Sequence, residues 1–168
     1  LKKLGDAKGV TVKLLHTGQH YDRNMSTIFF EQFGILPDYT LDLDSTTAAS
    51  QIGETIMGIE KVARELNPEL IVVVGDVNST LAGAITANKL GIKLAHLESG
   101  LRSFDRTMPE EINRILTDEI TDVYFVTEQS GLDHLLNHGI NPARIHFVGN
   151  TMIDTMVAWI RPCTFIPK

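Results

Sequence analysis

Short apolar runs alternate with longer amphipathic stretches along most of the chain. The apolar runs are typical of buried strands and predict strands over 10–15, 70–74, 92–97, 123–126 and 145–148. Apolar positions at helical spacing predict helices over 25–33, 46–66, 79–90, 109–120 and 130–137. Repeated strand-then-helix order predicts parallel pairing with right-handed crossovers. We therefore expect residues 1–168 to form one α/β domain, a doubly wound parallel sheet with helices on both faces.

Composition narrows the class of protein. Of 168 residues, 43% are apolar and 21% are charged, which is typical of a soluble globular protein. The net charge of −6, without a basic run, argues against a nucleic-acid partner and against an anionic membrane surface. Cys163 is the single cysteine, so an internal disulfide and a Cys-based zinc site are excluded. A reducing, cytoplasmic setting is expected, and no apolar run approaches the roughly 20 residues that span a bilayer.

The two ends of the sequence suggest a piece of a longer protein. The chain opens on LKKLG, where Leu1 and Leu4 are spaced like the end of a helix that begins earlier. It closes on RPCTFIPK, with no predicted element after Trp159. We therefore expect further chain on both sides.

Acidic side chains follow the ends of two neighbouring apolar runs. Asp76 comes just after the run 70–74, Glu98 comes after 92–97, and Glu110 and Glu111 open the next helix. In an open parallel sheet, ligands bind beyond the carboxyl ends of the strands. Carboxylates collected there can pass protons to and from a substrate, so the pattern predicts an enzyme.

Each of these positions also has a purely structural interpretation. Asp76 can be a turn residue beside a helix cap at Asn78 or Ser79, or a carboxylate beside free helix N–H groups that receive an anion. Glu98 can be a solvated carboxylate at a strand end or an acid/base group. His96 lies inside an apolar strand, where a packed, hydrogen-bonded histidine is favoured over a metal ligand.

The helix after Pro109 admits the same two interpretations. Pro at the first turn and acids beside it suit a helix start. Glu110 and Arg114 are four residues apart, the spacing of a surface ion pair. The predicted core stripe leaves Glu110 and Arg114 on the opposite face, toward water or a cleft; it consists of Ile112, Ile115, Leu116 and Ile120.

Two further polar turns follow predicted strands. Gln19-His20-Tyr21-Asp22 follows the first strand, and His20 there is a candidate for ligand contact or part of a turn. Gly149-Asn150-Thr151 follows the last strand as a turn and helix cap. The sequence contains neither G-x-G-x-x-G nor G-x-x-x-x-G-K-[ST], which removes the best support for dinucleotide and P-loop sites.

Taken together, the motifs resemble those of the non-hydrolysing UDP-N-acetylglucosamine 2-epimerases. The resemblance covers nearly the whole chain, and its motifs occur in the family's order with near-family spacing. They are TGQH at 17–20, GD at 75–76, HLESGLR at 96–102, PEEINR at 109–114 and GNTMID at 149–154. The family has two Rossmann-like domains in the glycosyltransferase-B arrangement, and this chain matches the N-terminal one.

The resemblance implies a reaction and a site. Members interconvert UDP-N-acetylglucosamine and UDP-N-acetylmannosamine by eliminating UDP to give 2-acetamidoglucal and adding it back, without a metal or redox cofactor. By position, the catalytic carboxylates correspond to Asp76, Glu98 and Glu110, with Arg114 as the supporting arginine. Gln19, His20, Arg102 and Asn150 are implied substrate-binding residues. A homodimer and a cytoplasmic role in cell-envelope polysaccharide synthesis are also implied.

The chain also departs from the family pattern. The family's first strand with its Gly-Thr-Arg-Pro-Glu loop, and its C-terminal domain with most UDP contacts and a catalytic histidine, have no counterpart here. Asp22 stands where the family's regulatory segment has glutamine. Two alternatives therefore remain: a hydrolysing epimerase, which releases free N-acetylmannosamine, and a truncated, non-catalytic domain.

Overall fold

A computed structural model describes residues 8–18 and 34–160 of the chain. The chain divides into two compact units, 1–68 and 69–168. None of the helices in the described ranges is long and apolar enough to cross a membrane.

In the first unit, two short strands pair in parallel. Strand β1, Leu15–His16, lies beside β2, Tyr39–Thr40. The predicted strand over 10–15 is wrong except at its last residue. The Leu14 amide donates to the Asp38 carboxylate at 2.9 Å instead of to a strand, and this contact marks where the pairing begins. The predicted helix over 25–33 lies outside the described residues.

Helix α1, Ala48–Leu66, completes the description of the first unit. It begins at a capping box, in which the Thr47 hydroxyl accepts from the Ser50 amide at 3.1 Å and the Ser50 hydroxyl accepts from the Thr47 amide at 3.2 Å. It ends at Asn67, whose φ of 46° is the left-handed cap that asparagine tolerates. These local signals explain why the helix predicted over 46–66 forms within two residues of its expected start.

The second unit is a four-stranded parallel sheet with alternating helices. Its strands pair in chain order: β3 (Leu70–Val74), β4 (Lys93–Leu97), β5 (Val123–Val126) and β6 (Ile145–Phe147). The helices are α2 (Asn78–Leu90), α3 (Pro109–Glu119), α4 (Gln129–Asn137) and α5 (Thr151–Ile160), with a 3-10 turn at Pro142–Arg144. The predicted α/β class with a parallel sheet is confirmed.

The apolar core of this unit lies between the sheet and its helices. One cluster joins Val73 and Leu94 of the sheet to Ala84 and Ala87 of α2. The two alanines are fully buried, and such small side chains let helix and sheet approach closely. A second cluster contains Tyr124, Val126 and Leu135. The first cluster holds β3 and β4, whose carboxyl ends are followed by the acidic residues, and the second holds β5 against α4.

The expectation that β3 is buried on both faces is wrong. Val72 and Val74 are 49% and 52% exposed, whereas Val73 between them is 8% exposed. Successive side chains of a strand point to opposite faces, and among the strands of the described residues β3 is at the edge of this sheet. Only the face that carries Val73 packs against α2.

The predicted core stripe of α3 is also wrong in part. Ile120 packs against the first cluster, but Leu116 is 46% exposed. The buried side chains of α3 are polar instead: Glu111, Asn113, Thr117 and Asp118. Glu111 and Asp118 are buried because cationic and amide partners inside the protein satisfy their carboxylates, as burial of charge requires.

Candidate active site

The carboxyl ends of β3 and β4 lie side by side. Val74 is in register with Leu97, and the Gly75 amide continues the ladder by donating to the Leu97 carbonyl at 3.0 Å. Asp76 and Glu98 follow directly on these two strands. Neighbouring strands are about 4.8 Å apart, so the two acidic residues leave the sheet at adjacent points. The structure therefore brings Asp76 and Glu98 to one edge, as the sequence predicts.

Glu98 has an unusual backbone conformation. Its φ is 73°, in the left-handed region that disfavours every residue with a Cβ atom, at a cost of about 1–2 kcal/mol. Its amide nevertheless donates to the Phe125 carbonyl at 3.0 Å, so strand β5 holds the turn in place. A Cβ atom placed on Gly75 would lie 3.8 Å from Glu98 Oε2, so the Glu98 carboxylate lies over the Gly75-Asp76 turn. Strain of this kind is concentrated at functional sites.

Arg114 joins Asp76 to helix α3. Its guanidinium contacts Asp76 Oδ2 at 2.8 Å through Nη1 and Glu111 Oε2 at 3.0 Å through Nη2. The side chain of Arg114 is 14% exposed and that of Asp76 is 31% exposed, so the pair borders solvent. Asn113 adds a hydrogen bond from Nδ2 to the Asp76 carbonyl at 2.8 Å. Asp76 is thus fixed through both its backbone and its carboxylate.

Glu111, one residue after the predicted catalytic residue Glu110, links helix α3 to the loop that precedes it. The 1% exposed Glu111 side chain accepts hydrogen bonds from the Ser103 amide at 2.9 Å and the Phe104 amide at 3.0 Å. Arg114 therefore pairs with Glu111 at the i,i+3 spacing, and the predicted surface pair with Glu110 is wrong. Glu110 itself is exposed. Within the described part of the chain, no hydrogen bond or ion pair joins Glu110 to Asp76 or Glu98.

Glu111 makes the stability of the fold depend on pH. Burial would raise the pKa of Glu111, but the hydrogen bonds from Ser103, Phe104 and Arg114 outweigh it and hold the pKa below its ordinary value of 4.5. A carboxyl group with a lowered folded-state pKa stabilises the fold above its unfolded-state pKa. This contribution is lost as the pH falls through the lower, folded-state pKa.

We expect Glu111→Gln to lower the free energy of unfolding at pH 7 and to have a smaller effect in acid. Urea unfolding of wild type and variant at pH 7 and at several values below about pH 5 measures the difference. Glu119→Gln is the matched control, because Glu119 lies on the same helix with a 58% exposed side chain. An equal destabilisation by Glu111→Gln at every pH would contradict the assigned role of the ionised carboxylate.

A second buried network lies behind the strand ends. His96 is fully buried; its Nδ1 contacts Asp118 Oδ1 and its Nε2 contacts the Gly75 carbonyl, both at 2.8 Å. Asp118 Oδ2 accepts from Arg102 at 2.7 Å and from the Gly100 amide at 3.1 Å. The expectation that His96 is a packed, hydrogen-bonded histidine is confirmed. No cluster of metal-ligating side chains is found among residues 8–18 and 34–160.

The remaining predicted site residues have varied surroundings. Arg102 is 12% exposed, and its guanidinium is engaged by Asp118. Asn150 accepts from the Met152 amide at 2.9 Å, the contact of a helix cap at the start of α5. Gln19 and His20 lie outside the described residues. For these four residues, substrate binding stays a prediction.

Sequence reasoning did not identify the buried polar face of α3. Glu111, Arg114 and Asp118 are spaced i, i+3 and i+7, so they share one face of the helix. That spacing was a usable signal, but the aliphatic stripe on the same helix outweighed it. The partners of these side chains, Asp76 and His96, are remote in sequence and only the fold brings them close.

Comparisons with known proteins agree on one family. A family model described as UDP-N-acetylglucosamine 2-epimerase matches residues 2–164. A UDP-N-acetylglucosamine 2-epimerase of Methanococcus maripaludis is 45% identical over 163 residues. A UDP-2,3-diacetamido-2,3-dideoxy-D-glucuronate 2-epimerase of Pseudomonas aeruginosa is 47% identical over 154 residues. These alignments cover 92% and 90% of this chain and 44% of each relative, so the chain spans less than half of their length.

The fold of the chain also matches solved structures. The crystal structure of Methanocaldococcus jannaschii UDP-GlcNAc 2-epimerase, in complex with UDP-GlcNAc and UDP, superposes with a TM-score of 0.89 at 42% identity. The match covers 97% of this chain and 46% of that one. The chain therefore has the α/β fold of one half of a glycosyltransferase-B-type, two-domain enzyme.

Proposed function

Because the chain belongs to the UDP-N-acetylglucosamine 2-epimerase family, we propose that its protein interconverts UDP-N-acetylglucosamine and UDP-N-acetylmannosamine. Residues 1–168 supply the N-terminal, Rossmann-like domain of that enzyme. The observation that supports this most directly is the juxtaposition of Asp76, held by Arg114, with the strained Glu98 at the ends of adjacent strands. Two carboxylates at one sheet edge are what proton transfer at a sugar carbon requires.

The chemistry explains why several acid/base groups are needed. The C2 proton of the sugar has no neighbouring carbonyl to acidify it. In the elimination, a base takes this proton, its electron pair forms the C1–C2 double bond, and the C1–O bond to UDP breaks. UDP then adds back at C1 while an acid protonates C2 on the opposite face. Asp76, Glu98 and Glu110 are the proposed acid/base groups, and the order of their roles is open.

Arg114 has a supporting role in this scheme. It contacts Asp76 and Glu111 at once, so it fixes the Asp76 carboxylate and balances its charge. Gln19, His20, Arg102 and Asn150 are proposed to bind the substrate. The proposed reaction uses no redox cofactor, because elimination and addition exchange only protons and UDP, and we propose no metal.

The identity of the sugar nucleotide is the part of the proposal for which the relatives suggest a specific alternative. The Pseudomonas aeruginosa relative is named for UDP-2,3-diacetamido-2,3-dideoxy-D-glucuronate, and its identity of 47% is close to the 45% of the Methanococcus relative. Both names describe 2-epimerases, so both support the same reaction at C2. The comparisons do not favour the hydrolysing alternative.

We also propose that the protein is a cytoplasmic homodimer that serves cell-envelope polysaccharide synthesis. The support for association is an apolar depression on the second unit, lined by α2 and α3 residues that include Leu81, Ile85 and the 46% exposed Leu116. A second copy of the chain would remove this surface from water. The single cysteine fits a reducing compartment.

The test is proton NMR of the complete protein with UDP-N-acetylglucosamine in D₂O. We expect deuterium at C2 and the appearance of UDP-N-acetylmannosamine. Free N-acetylmannosamine with UDP would instead indicate the hydrolysing reaction. Exchange only with UDP-2,3-diacetamido-2,3-dideoxy-D-glucuronate would reassign the substrate. No exchange with either substrate, from protein shown to be folded, would contradict the proposed function; light scattering on the same sample gives its oligomeric state.

A further inference from the structure

The His96 side chain connects the two turns that carry the proposed carboxylates, one directly and the other through Asp118. On one side its Nε2 contacts the carbonyl of Gly75, the residue before Asp76. On the other side its Nδ1 contacts Asp118, which in turn binds the Gly100 amide, two residues after Glu98. His96 itself lies in β4, two residues before Glu98. These three hydrogen bonds are between 2.8 and 3.1 Å long.

The donors and acceptors around His96 determine the role of each ring nitrogen. The Gly75 carbonyl can only accept, so Nε2 carries a hydrogen and donates it. The contact between Nδ1 and Asp118 Oδ1 is a second hydrogen bond of the ring, with one hydrogen between the two atoms. Both ring nitrogens are therefore committed within the protein. A fully buried ring without a spare nitrogen is unsuited to proton exchange with a substrate and well suited to fixing geometry.

The surroundings of the network confirm that its members have little freedom. Asp118 is 4% exposed, and its second oxygen is occupied by Arg102 and Gly100. Glu98 is strained at a φ of 73°, whereas glycine adopts the φ of 70° at Gly75 without strain, so it is the Glu98 turn that needs support from neighbouring groups. The Phe125 carbonyl and the Asp118 carboxylate supply this support through the Glu98 and Gly100 amides, and the His96 ring adds a buried hydrogen bond to the Gly75 carbonyl.

We propose that His96 is a positioning residue of the active site, which sets the separation of the Asp76 and Glu98 carboxylates by holding the Gly75 and Gly100 turns through one buried ring. The kinetic test of this inference rests on the proposed function, because it measures the proposed epimerisation. Its structural part, that the His96 ring fixes both turns, is independent of the substrate.

Two substitutions of His96 each keep one of its two contacts, with Gly75 or with Asp118. The side-chain amide of glutamine can replace Nε2, so His96→Gln keeps a donor for the Gly75 carbonyl. The amide of asparagine can replace Nδ1, so His96→Asn keeps the contact with Asp118 and loses the one with Gly75. His138→Gln is the matched control, since the His138 side chain is 65% exposed and contacts the exposed Glu119 on the surface.

In the complete enzyme we expect His96→Asn to lower kcat about 10- to 100-fold, because misplacing a reacting group by about 1 Å costs up to this much. KM should change little, and His96→Gln should recover most of the lost kcat, because it keeps a donor for the Gly75 carbonyl while Asp118 still accepts from the Gly100 amide. A purely structural histidine would lower the melting temperature in both variants without this split in kcat. Unchanged kcat in folded His96→Asn, or equal losses in both variants, would overturn the proposal.

The second measurement does not depend on activity. In wild-type protein, NMR of the His96 ring should show an Nε2 proton protected from exchange and a downfield proton shared with Asp118. In His96→Asn, the amide resonances of Asp76 and Glu98 should both shift, and in His138→Gln they should not. An unprotected Nε2 proton would overturn the positioning role even if the enzyme is active. Absence of epimerisation with these signals present would contradict only the proposed function.

Discussion

Asp76→Asn, Glu98→Gln and Glu110→Gln are each expected to lower epimerase turnover by about 10²–10⁴-fold, the usual loss when one acid/base group is removed. The substitutions remove the ability to exchange a proton while keeping the size of the side chain. The fold should survive, because none of the three carboxylates is fully buried. The measurements are steady-state kinetics and C2 deuterium exchange in the complete protein.

The control for this series is Glu119→Gln, which changes an exposed carboxylate at the end of the same helix that carries Glu110. It should leave turnover unchanged. Near-normal activity in all three variants would refute the assigned site. Loss in Asp76→Asn and Glu98→Gln but not in Glu110→Gln would restrict the site to the two residues that the sheet edge brings together.

Glu98 offers an additional test, since the effects of its backbone conformation and of its carboxylate can be measured separately. Glu98→Gly removes the carboxylate and also suits the φ of 73°. We expect it to lose activity like Glu98→Gln while keeping its unfolding free energy within about 1 kcal/mol of wild type. A Glu98→Gly protein with full activity would show that the turn, not the carboxylate, is what the site requires.

The second large effect concerns Gly100. A Cβ atom at this position would lie 2.3 Å from the Gly131 carbonyl oxygen and 2.9 Å from Leu135 Cγ, and the φ of Gly100 is 80°. Gly100→Ala therefore combines a steric clash against backbone with a left-handed conformation. We expect it to destabilise the fold by about 2–5 kcal/mol, measured by urea unfolding.

Gly139→Ala isolates the clash from the conformational cost. Gly139 has a nearly identical φ of 82°, but a Cβ atom there would meet nothing within 4 Å. It should cost only the left-handed conformation, about 1–2 kcal/mol. Equal destabilisation by the two substitutions would mean that the loop at Gly100 does not pack against α4 as tightly as the structure indicates.

The sequence was most informative where local chemistry determines structure. The aliphatic, β-branched run Leu70–Val74 forms the predicted strand, and Val123–Val126 does so as well. Helix α1 ends at Asn67-Pro68, a stop signal that can be read from sequence, whereas its capping box has Ser50 in place of the usual Glu or Gln. Strand β2, Tyr39–Thr40, was not predicted, because two residues are too short to show a period.

The site was less predictable than the strands, and the reason is physical. Motif order placed Asp76 and Glu98 at neighbouring strand ends, which the sheet confirms. The pair of Asp76 with Arg114 joins residues 38 apart, and no local pattern specifies it. The burial of Glu111 depends on amides contributed by the loop at Ser103 and Phe104, so amphipathic periodicity alone predicted the core face of α3 only in part.

The sequential strand order of the second unit has a consequence for synthesis and folding. Each strand from β3 to β6 pairs with the next one along the chain, so the sheet can grow one strand and helix at a time as the polypeptide emerges. Each crossover between paired strands contains only one long helix, so less chain has to be closed into a loop than in a sheet whose neighbouring strands are remote in sequence. Asp76 leaves the ribosome early but meets Arg114 only after β4 and α3 have been added. The candidate active site is therefore expected to be completed late in folding, on a sheet whose first two strands have already paired.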